Sequence, residues 1–282
     1  MSQAQLMDGT GLARRIVDET AKRAADLTER TGVAPCLATV LVGEDPASVT
    51  YVRMKQNRSR KAGIESRHVA LPAGTTTDEL IGTLSELSAD PTVHGILLQH
   101  PMGHHIDERA AFEAIAPEKD VDGVTLASFS AMSFGLPGFA SCTPGGIMRL
   151  LDEYDVDPAG KRAVVVGRSA ILGKPVGMLL LGRDATVTYC HSRTTDLSAV
   201  VREADIVVAA VGRPRLIRGE DIKPGAVVVD AGYNPGNIGD VDFDSARERA
   251  SLITPVPGGV GPMTIATLLA QTVEAATRQT GA

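Results

Sequence analysis

Short apolar runs alternate along the chain with stretches whose apolar positions recur every three or four residues, a switching between strand and helix periods that predicts an α/β architecture. In the first half, residues 36–42, 66–71 and 93–99 read as strands, with helical patterns at 7–31, 48–62 and 77–88. In the second half, Val-rich strands are predicted at 162–166, 186–190, 206–211 and 227–230, with helices at 174–181 and 197–203 between the first three. Such continuous runs belong to parallel sheets covered on both faces. Residues 128–140, rich in Ser, Phe and Gly and lacking a clear period, read as the connection between two domains. Thr143-Pro144 then supplies an N-cap and first turn for a helix to about residue 154. A last helix over 263–280 follows the Gly/Pro-rich run 255–262, and its pattern allows packing on either domain. No internal repeat is present.

Composition narrows the classes. The chain has 282 residues, a formal charge of −6 and 43% apolar residues, an ordinary soluble composition long enough for two domains. Its longest apolar stretches, 204–211 and 226–229, are far short of the roughly 18–20 residues of a membrane span. Met1-Ser2-Gln3-Ala4-Gln5 has neither the charged start nor the apolar run of a signal peptide, so a cytoplasmic protein is expected. Cys36, Cys142 and Cys190 are far apart and lack metal spacing, which predicts reduced thiols, no disulfide framework and no zinc. With a pI near 5.5, four Tyr, five Phe and no Trp, the chain lacks the basic footprint and stacking platforms of nucleic-acid binders. A small-molecule ligand is expected.

Several constellations carry candidate chemistry. Val164-Val165-Val166-Gly167-Arg168-Ser169-Ala170-Ile171-Leu172-Gly173 is a buried strand, a glycine turn and a helix start. In a phosphate-binding crossover this layout lets pyrophosphate approach a helix N-terminus, although the spacing here is wider than G-x-G-x-x-G. The next strand ends in Cys190-His191-Ser192-Arg193-Thr194 rather than in the carboxylate that binds a ribose 2′-hydroxyl. Ser192 and Arg193, with Arg168, suit a 2′-phosphate, so NADP is expected over NAD. Ser48, Tyr51 and Lys55 fall on one face of a predicted helix that starts beyond a strand's carboxyl end. Gln99 closes another strand. Asp120 and Asp122 lie in a turn-rich acidic loop, better suited to hydrogen bonding a ligand's amino groups than to metal, because no metal-spaced partners accompany them. His104-His105 reads as a solvated loop.

Taken in order, Ser48-x-x-Tyr51-Val52-x-x-Lys55, Gln99-x-Pro101, Lys119-Asp120-Val121-Asp122-Gly123, Cys142-Thr143-Pro144-x-Gly146, Val166-Gly167-Arg168-Ser169-x-x-x-Gly173-x-Pro175 and Pro255-Val256-Pro257-Gly258-Gly259-Val260-Gly261-Pro262-Met263-Thr264 resemble the bifunctional methylenetetrahydrofolate dehydrogenase/methenyltetrahydrofolate cyclohydrolase family across essentially the whole chain. The resemblance implies a folate-binding catalytic domain over 1–140, completed by the C-terminal helix 263–282, and a Rossmann-type NADP domain over 141–262, with the active site in a cleft between them. It implies a homodimer that oxidises 5,10-methylenetetrahydrofolate with NADP⁺ and hydrolyses the methenyl product to 10-formyltetrahydrofolate. It further implies Lys55 as the catalytic lysine, Tyr51 as its neighbour over the folate, Gln99 as the residue holding Lys55, and Asp122 as the pterin anchor. On the cofactor side it points to Gly167, Arg168 and Ser169 at the phosphates, Ser192 near the 2′-phosphate and Tyr233 near the nicotinamide. Gly259 and Pro262 would line the folate pocket. Arg193 is added on charge alone. The chain departs from the family pattern at Gln99-His100-Pro101-Met102-Gly103, where Gln-Leu-Pro-Leu-Pro is usual, at Ser128, near which an Asn is usual, and at Tyr233, where an aliphatic residue is usual.

The residue chemistry agrees with a working lysine. A free Lys has a pKa of about 10.4, so only about one in 2,500 is neutral at pH 7, and desolvation against an apolar pterin would lower that value. Competing readings are a monofunctional NADP-dependent dehydrogenase, separable by methenyl accumulation, and a non-catalytic folate or nucleotide-binding regulator on the same fold. A shikimate-type or amino-acid dehydrogenase would share the two-domain plan but not Tyr51, Lys55 and Asp122.

Overall fold

The structure, a computed structural model, describes residues 3–43 and 56–282. Contacts divide it into two units. One comprises Met1–Arg14, Met132–Gly135 and Ser141–Ala266; the other comprises Arg15–Ala131, Leu136–Ala140 and Thr267–Ala282. Helices α1 (Gly9–Thr31) and α9 (Val260–Thr280) each contribute residues to both.

The second unit is built on a parallel three-stranded sheet in the order β3-β2-β4, formed by β2 (Cys36–Val42), β3 (Glu65–Leu71) and β4 (Gly95–Leu98). The central strand β2 is almost entirely buried, and the edge strand β3 is mostly exposed or half-buried, as its mixed sequence requires. Helix α2 (Thr77–Ala89) packs through Leu80, Leu84 and Leu87, one face at helical spacing. Each such Leu contributes about 1.5–3 kcal/mol on burial. Its start is fixed by a capping box: the Thr76 hydroxyl accepts from the Glu79 N–H, and the Glu79 carboxylate accepts from the Thr76 N–H at 2.8 Å. Helix α3 (Glu108–Glu113) begins on Asp107, whose carboxylate accepts from Ala110.

Residues 56–61, the described end of the helix predicted over 48–62, are helical. Residues 128–140, expected as an irregular connection, instead overlap α4 (Leu126–Phe134). Its apolar residues surround the axis, leaving Leu126 and Phe134 exposed, so no stripe announces it; the start signal is Thr125, whose hydroxyl accepts from the Ser128 N–H at 3.1 Å.

The first unit holds a six-stranded, all-parallel sheet in the order β1-β9-β8-β7-β5-β6. Its strands are β1 (Gln5–Leu6), β5 (Arg162–Val166), β6 (Thr186–Cys190), β7 (Ile206–Ala209), β8 (Val227–Asp230) and β9 (Leu252–Ile253). Val164, Val166, Val207, Ala209, Val228 and Ile253 face one core with Val201, Ala204 and Ala246, while Val165, Val208 and Val229 are equally buried on the other side. Helices α5 (Cys142–Glu153), α6 (Gly173–Leu181), α7 (Leu197–Arg202) and α8 (Phe243–Arg247) belong to this unit. Helix α5 starts two residues earlier than Thr143 suggests, with Ser141 at the cap position; the Thr143 hydroxyl instead lies 2.9 Å from that of Thr264 on α9.

Candidate functional site

In the six-stranded sheet the chain leaves β5 for β6 on one side, and β7 then pairs on the other side of β5. That reversal is a topological switch point, and ligands of open α/β sheets bind at the carboxyl ends of the strands flanking it. Gly167 follows β5 there, with φ at 136°, and any Cβ on it would overlap the carbonyl oxygen of Ala210, which follows β7. Gly173 opens α6 so close to this turn that a Cβ would lie 2.6 Å from the Gly167 carbonyl carbon and 2.8 Å from the Arg168 nitrogen. No side chain stands between these backbone segments, so the crevice that open α/β sheets form at a switch point has a floor of backbone here. The Ser169 hydroxyl accepts from the Gly173 N–H at 3.2 Å, and Leu172 at the cap position makes no side-chain bond. Arg168 and Ser169 are exposed on the lip, where a guanidinium and a helix N-terminus favour anions.

The end of β6 folds into a tight turn. The His191 N–H donates to the Thr194 hydroxyl at 2.8 Å, and the Arg193 N–H donates to His191 Nδ1 at 3.2 Å, which places the ring proton on Nε2. Ser192 and Arg193 are thereby presented to solvent. The strand's last residue is the buried thiol Cys190, so β6 does not end in a carboxylate.

Two carboxylates that the sequence reading did not single out organise the rest of this edge. Asp230, the last residue of β8, is 4% exposed and accepts from the N–H groups of Gly232, Asp240 and Val241 at 2.9, 3.0 and 2.9 Å. Burial pushes its pKa up to about 6, the three N–H donors pull the other way, and the neighbouring Asp240 charge raises it further. Asp240 is fully buried and accepts from Val211, Gly212 and Arg213 N–H at 2.6, 2.9 and 2.8 Å, and from Asn234 Nδ2 at 3.1 Å. The usable signal was an Asp ending an all-Val strand, followed ten residues later by another in a glycine-rich stretch. Between them Asn234 and Ile238 form an antiparallel bridge, and Tyr233 stands 72% exposed beside it, donating to Asn237 Oδ1 at 2.9 Å. Gly259 is buried, its N–H donating to the Pro255 carbonyl, and Pro262 is half-buried in the first turn of α9.

In the other unit Gln99 is buried at the carboxyl end of β4, where its amide donates to the His100 carbonyl at 2.8 Å. Tyr51, Lys55 and Ser48 lie outside the described residues, in the segment that follows β2. Asp120 and Asp122 do not form a pair. Asp120 is fully buried and accepts from the Val124 and Thr125 N–H groups, holding the loop, whereas Asp122 is half-buried. Val121 between them packs on β4, its methyl carbons 2.7 and 2.9 Å from where a Cβ on Gly95 would stand. The loop is thus anchored at the first residue of β4, and Gln99 at its far end. Among the described residues no cluster of His, Cys, Asp and Glu could hold a metal ion.

A doubly wound parallel sheet with a glycine crevice at its switch point defines the class of nucleotide-binding α/β enzymes. Residues 7–122 match the family model of the tetrahydrofolate dehydrogenase/cyclohydrolase catalytic domain, and residues 141–280 match that of its NAD(P)-binding domain. The chain belongs to the tetrahydrofolate dehydrogenase/cyclohydrolase family. It is 81% identical over 278 residues to "Bifunctional protein FolD 1" of Streptomyces avermitilis, covering 99% of this chain and 97% of that protein. Among solved structures, the bifunctional FolD of Campylobacter jejuni is 43% identical with a TM-score of 0.95, covering 98% of this chain and 99% of that one. The Trypanosoma brucei enzyme, solved with NADP cofactor and inhibitor, is 40% identical with a TM-score of 0.96, and the match covers 100% of both chains.

Proposed function

We propose that the protein oxidises 5,10-methylenetetrahydrofolate with NADP⁺ to 5,10-methenyltetrahydrofolate and hydrolyses that product to 10-formyltetrahydrofolate. The observation that carries this reading is the glycine crevice between the ends of β5 and β7, in a chain whose two parts match the catalytic and NAD(P)-binding domains of one family. When bound, NADP⁺ supplies a hydride acceptor. The residues at the crevice fit that group: Gly167 admits a pyrophosphate, Arg168 and Ser169 meet it at a helix start, and Ser192 with Arg193 offers a hydroxyl and a cation to a 2′-phosphate. Tyr233 takes the nicotinamide end.

On the folate side Lys55 moves protons during hydration. Water adds to the methenyl carbon and gives up one proton; the hydroxyl so formed loses its second proton to become the formyl carbonyl as the bond from that carbon to N5 breaks and N5 takes up a proton, a net release of one proton. Gln99 holds Lys55, Tyr51 lies over the folate, and Asp122 accepts two hydrogen bonds from the pterin 2-amino group and ring N–H. Gly259 and Pro262 line the pocket. The folate part is taken as residues 1–140 with the terminal helix 263–282, and the cofactor part as 141–262, although the first strand, Gln5–Leu6, pairs into the six-stranded sheet of the latter. The same reading takes the protein to work in the cytoplasm as a homodimer, without nucleic acid or membrane; no helix among the described residues is long and apolar enough to cross one.

The test is a spectrophotometric time course with 5,10-methylenetetrahydrofolate and NADP⁺, following NADPH and methenyl absorbance, beside Lys55→Ala. NADPH without methenyl build-up, with hydrolysis falling at least about 100-fold in the variant, is expected. Stoichiometric methenyl build-up would mean a dehydrogenase alone, and near-normal hydrolysis by Lys55→Ala would remove that lysine from its role.

A further inference from the structure

We propose that Asp230 and Asp240 are positioning residues for cofactor binding, two buried carboxylates that tie the loop after β7 to the hairpin after β8 and so fix one wall of the switch-point crevice. The inference rests on the reading of that crevice as the NADP site. Asp240 is the joint. One of its oxygens accepts from Val211 and Gly212, the other from Arg213 and from the Asn234 side chain, so the loop beyond β7 and the hairpin beyond β8 share one acceptor. Asp230 in turn accepts from the N–H of Asp240 itself, and from Gly232 and Val241 at the two ends of the hairpin. Its own backbone is held from β9, the Asp230 N–H donating to the Thr254 hydroxyl at 2.7 Å.

The packing leaves no slack. A Cβ on Gly232 would overlap the Asp240 carboxyl, and one on Gly239 would overlap the Asp230 carboxyl. Every described partner of the two carboxylates is a donor, six backbone N–H groups and one amide. Only an ionised carboxylate, with acceptors on both oxygens and no hydrogens, satisfies such a set. An Asn at either position would turn an NH₂ toward N–H donors and leave buried groups unpaired. Neither carboxylate lines the crevice itself; Ala210, which abuts Gly167, is followed directly by the three residues Asp240 holds. Their effect on chemistry must therefore run through the loop's position.

The experiment compares the full-length wild type with Asp230→Asn and Asn234→Ala, measuring KM for NADP⁺ and kcat in the oxidation, NADPH affinity by its fluorescence, and hydrolysis of methenyltetrahydrofolate supplied directly, which uses no NADP⁺. The expected result for Asp230→Asn is a KM for NADP⁺ raised at least tenfold and NADPH affinity weakened to match, with hydrolysis changed less than twofold. Asn234→Ala, which removes the amide shared by Asp240 and the Ile238 carbonyl and leaves the six backbone donors in place, should raise the same KM about threefold. Equal losses of oxidation and hydrolysis in a folded Asp230→Asn protein, or an unchanged KM, would overturn the proposal. If Asp230→Asn does not fold, Asn234→Ala decides, and an unchanged KM there overturns it. A wild type that binds NADPH but oxidises no methylenetetrahydrofolate would sink the functional reading instead, leaving the clamp to be judged by NADPH affinity.

Discussion

Strands β4 and β8 lead into a buried amide and a buried carboxylate, and the two side chains differ in what they can gather. Beyond β4 the Gln99 amide donates to the carbonyl of the very next residue, His100. At the end of β8 the Asp230 carboxylate gathers N–H groups from residues as far along as Val241. An amide carries donors and an acceptor and can be answered locally, whereas a carboxylate only accepts and draws in whatever backbone donors a loop can bring. The difference teaches that the edge proposed for folate would take its chemistry from side chains, Gln99 and the lysine and tyrosine beyond β2, while the edge of the NAD(P)-binding domain is shaped by the path of the backbone.

Breaking the backbone-built edge should give the largest effect. Gly167→Ala would set a Cβ against the Ala210 carbonyl at a φ that L-residues rarely adopt. A loss of about 3 kcal/mol in urea unfolding, with NADP⁺ binding abolished, is expected; full stability would show that the crevice has room to yield. Next comes the charge on its lip. Replacing Arg168 and Arg193 together by Ala should raise KM for NADP⁺ roughly tenfold, equivalent to about 1.4 kcal/mol, and KM for NAD⁺ by much less. Equal rises for both cofactors would mean that the pair does not read the 2′-phosphate. The smallest effect belongs to the other sheet: Thr76→Ala removes the capping hydroxyl of α2 and should cost about 1 kcal/mol by denaturant titration without altering KM for NADP⁺. A changed cofactor KM there would show that the two edges are not independent.

The same contrast explains what could be read from the sequence. Strands at 36–42, 162–166 and 227–230 fall where expected, because near-continuous Val, Leu and Ala between turn signals leave few alternatives, whereas 186–190, expected to be covered on both faces, is an edge strand whose Thr-Val-Thr-Tyr run is exposed or half-buried up to Cys190. Strands β1 and β9 have two residues each, too few to show any period, and only their pairing defines them. Helix α4 escaped because its apolar residues form no stripe, and α9 starts at Val260 rather than 263 because glycine and proline there resemble a turn. The glycine turn after β5 and the non-acidic end of β6 were legible, since both are statements about residue type at a strand end. Asp240 was not, because a carboxylate among glycines looks like a solvated turn until burial and four donors appear around it. Asp120 and Asp122 looked alike in sequence for the same reason, and only the structure separates the loop-holding residue from the half-buried one.

The outermost pair of the six-stranded sheet has a consequence for how the chain is made. Strand β1 pairs with β9, and beyond the pair the Thr10 N–H donates to the Gly258 carbonyl at 2.9 Å, while the Thr10 hydroxyl reaches the same oxygen across 248 residues of sequence. At roughly 5–20 residues per second, a ribosome needs on the order of 10–50 s between making these two partners. Throughout that interval the first strand lacks its neighbour in the sheet, and it can dock only after β9 has been made. Closure of this edge is therefore a late, slow-topology event in biogenesis, set by contact order rather than by the strength of the strands themselves.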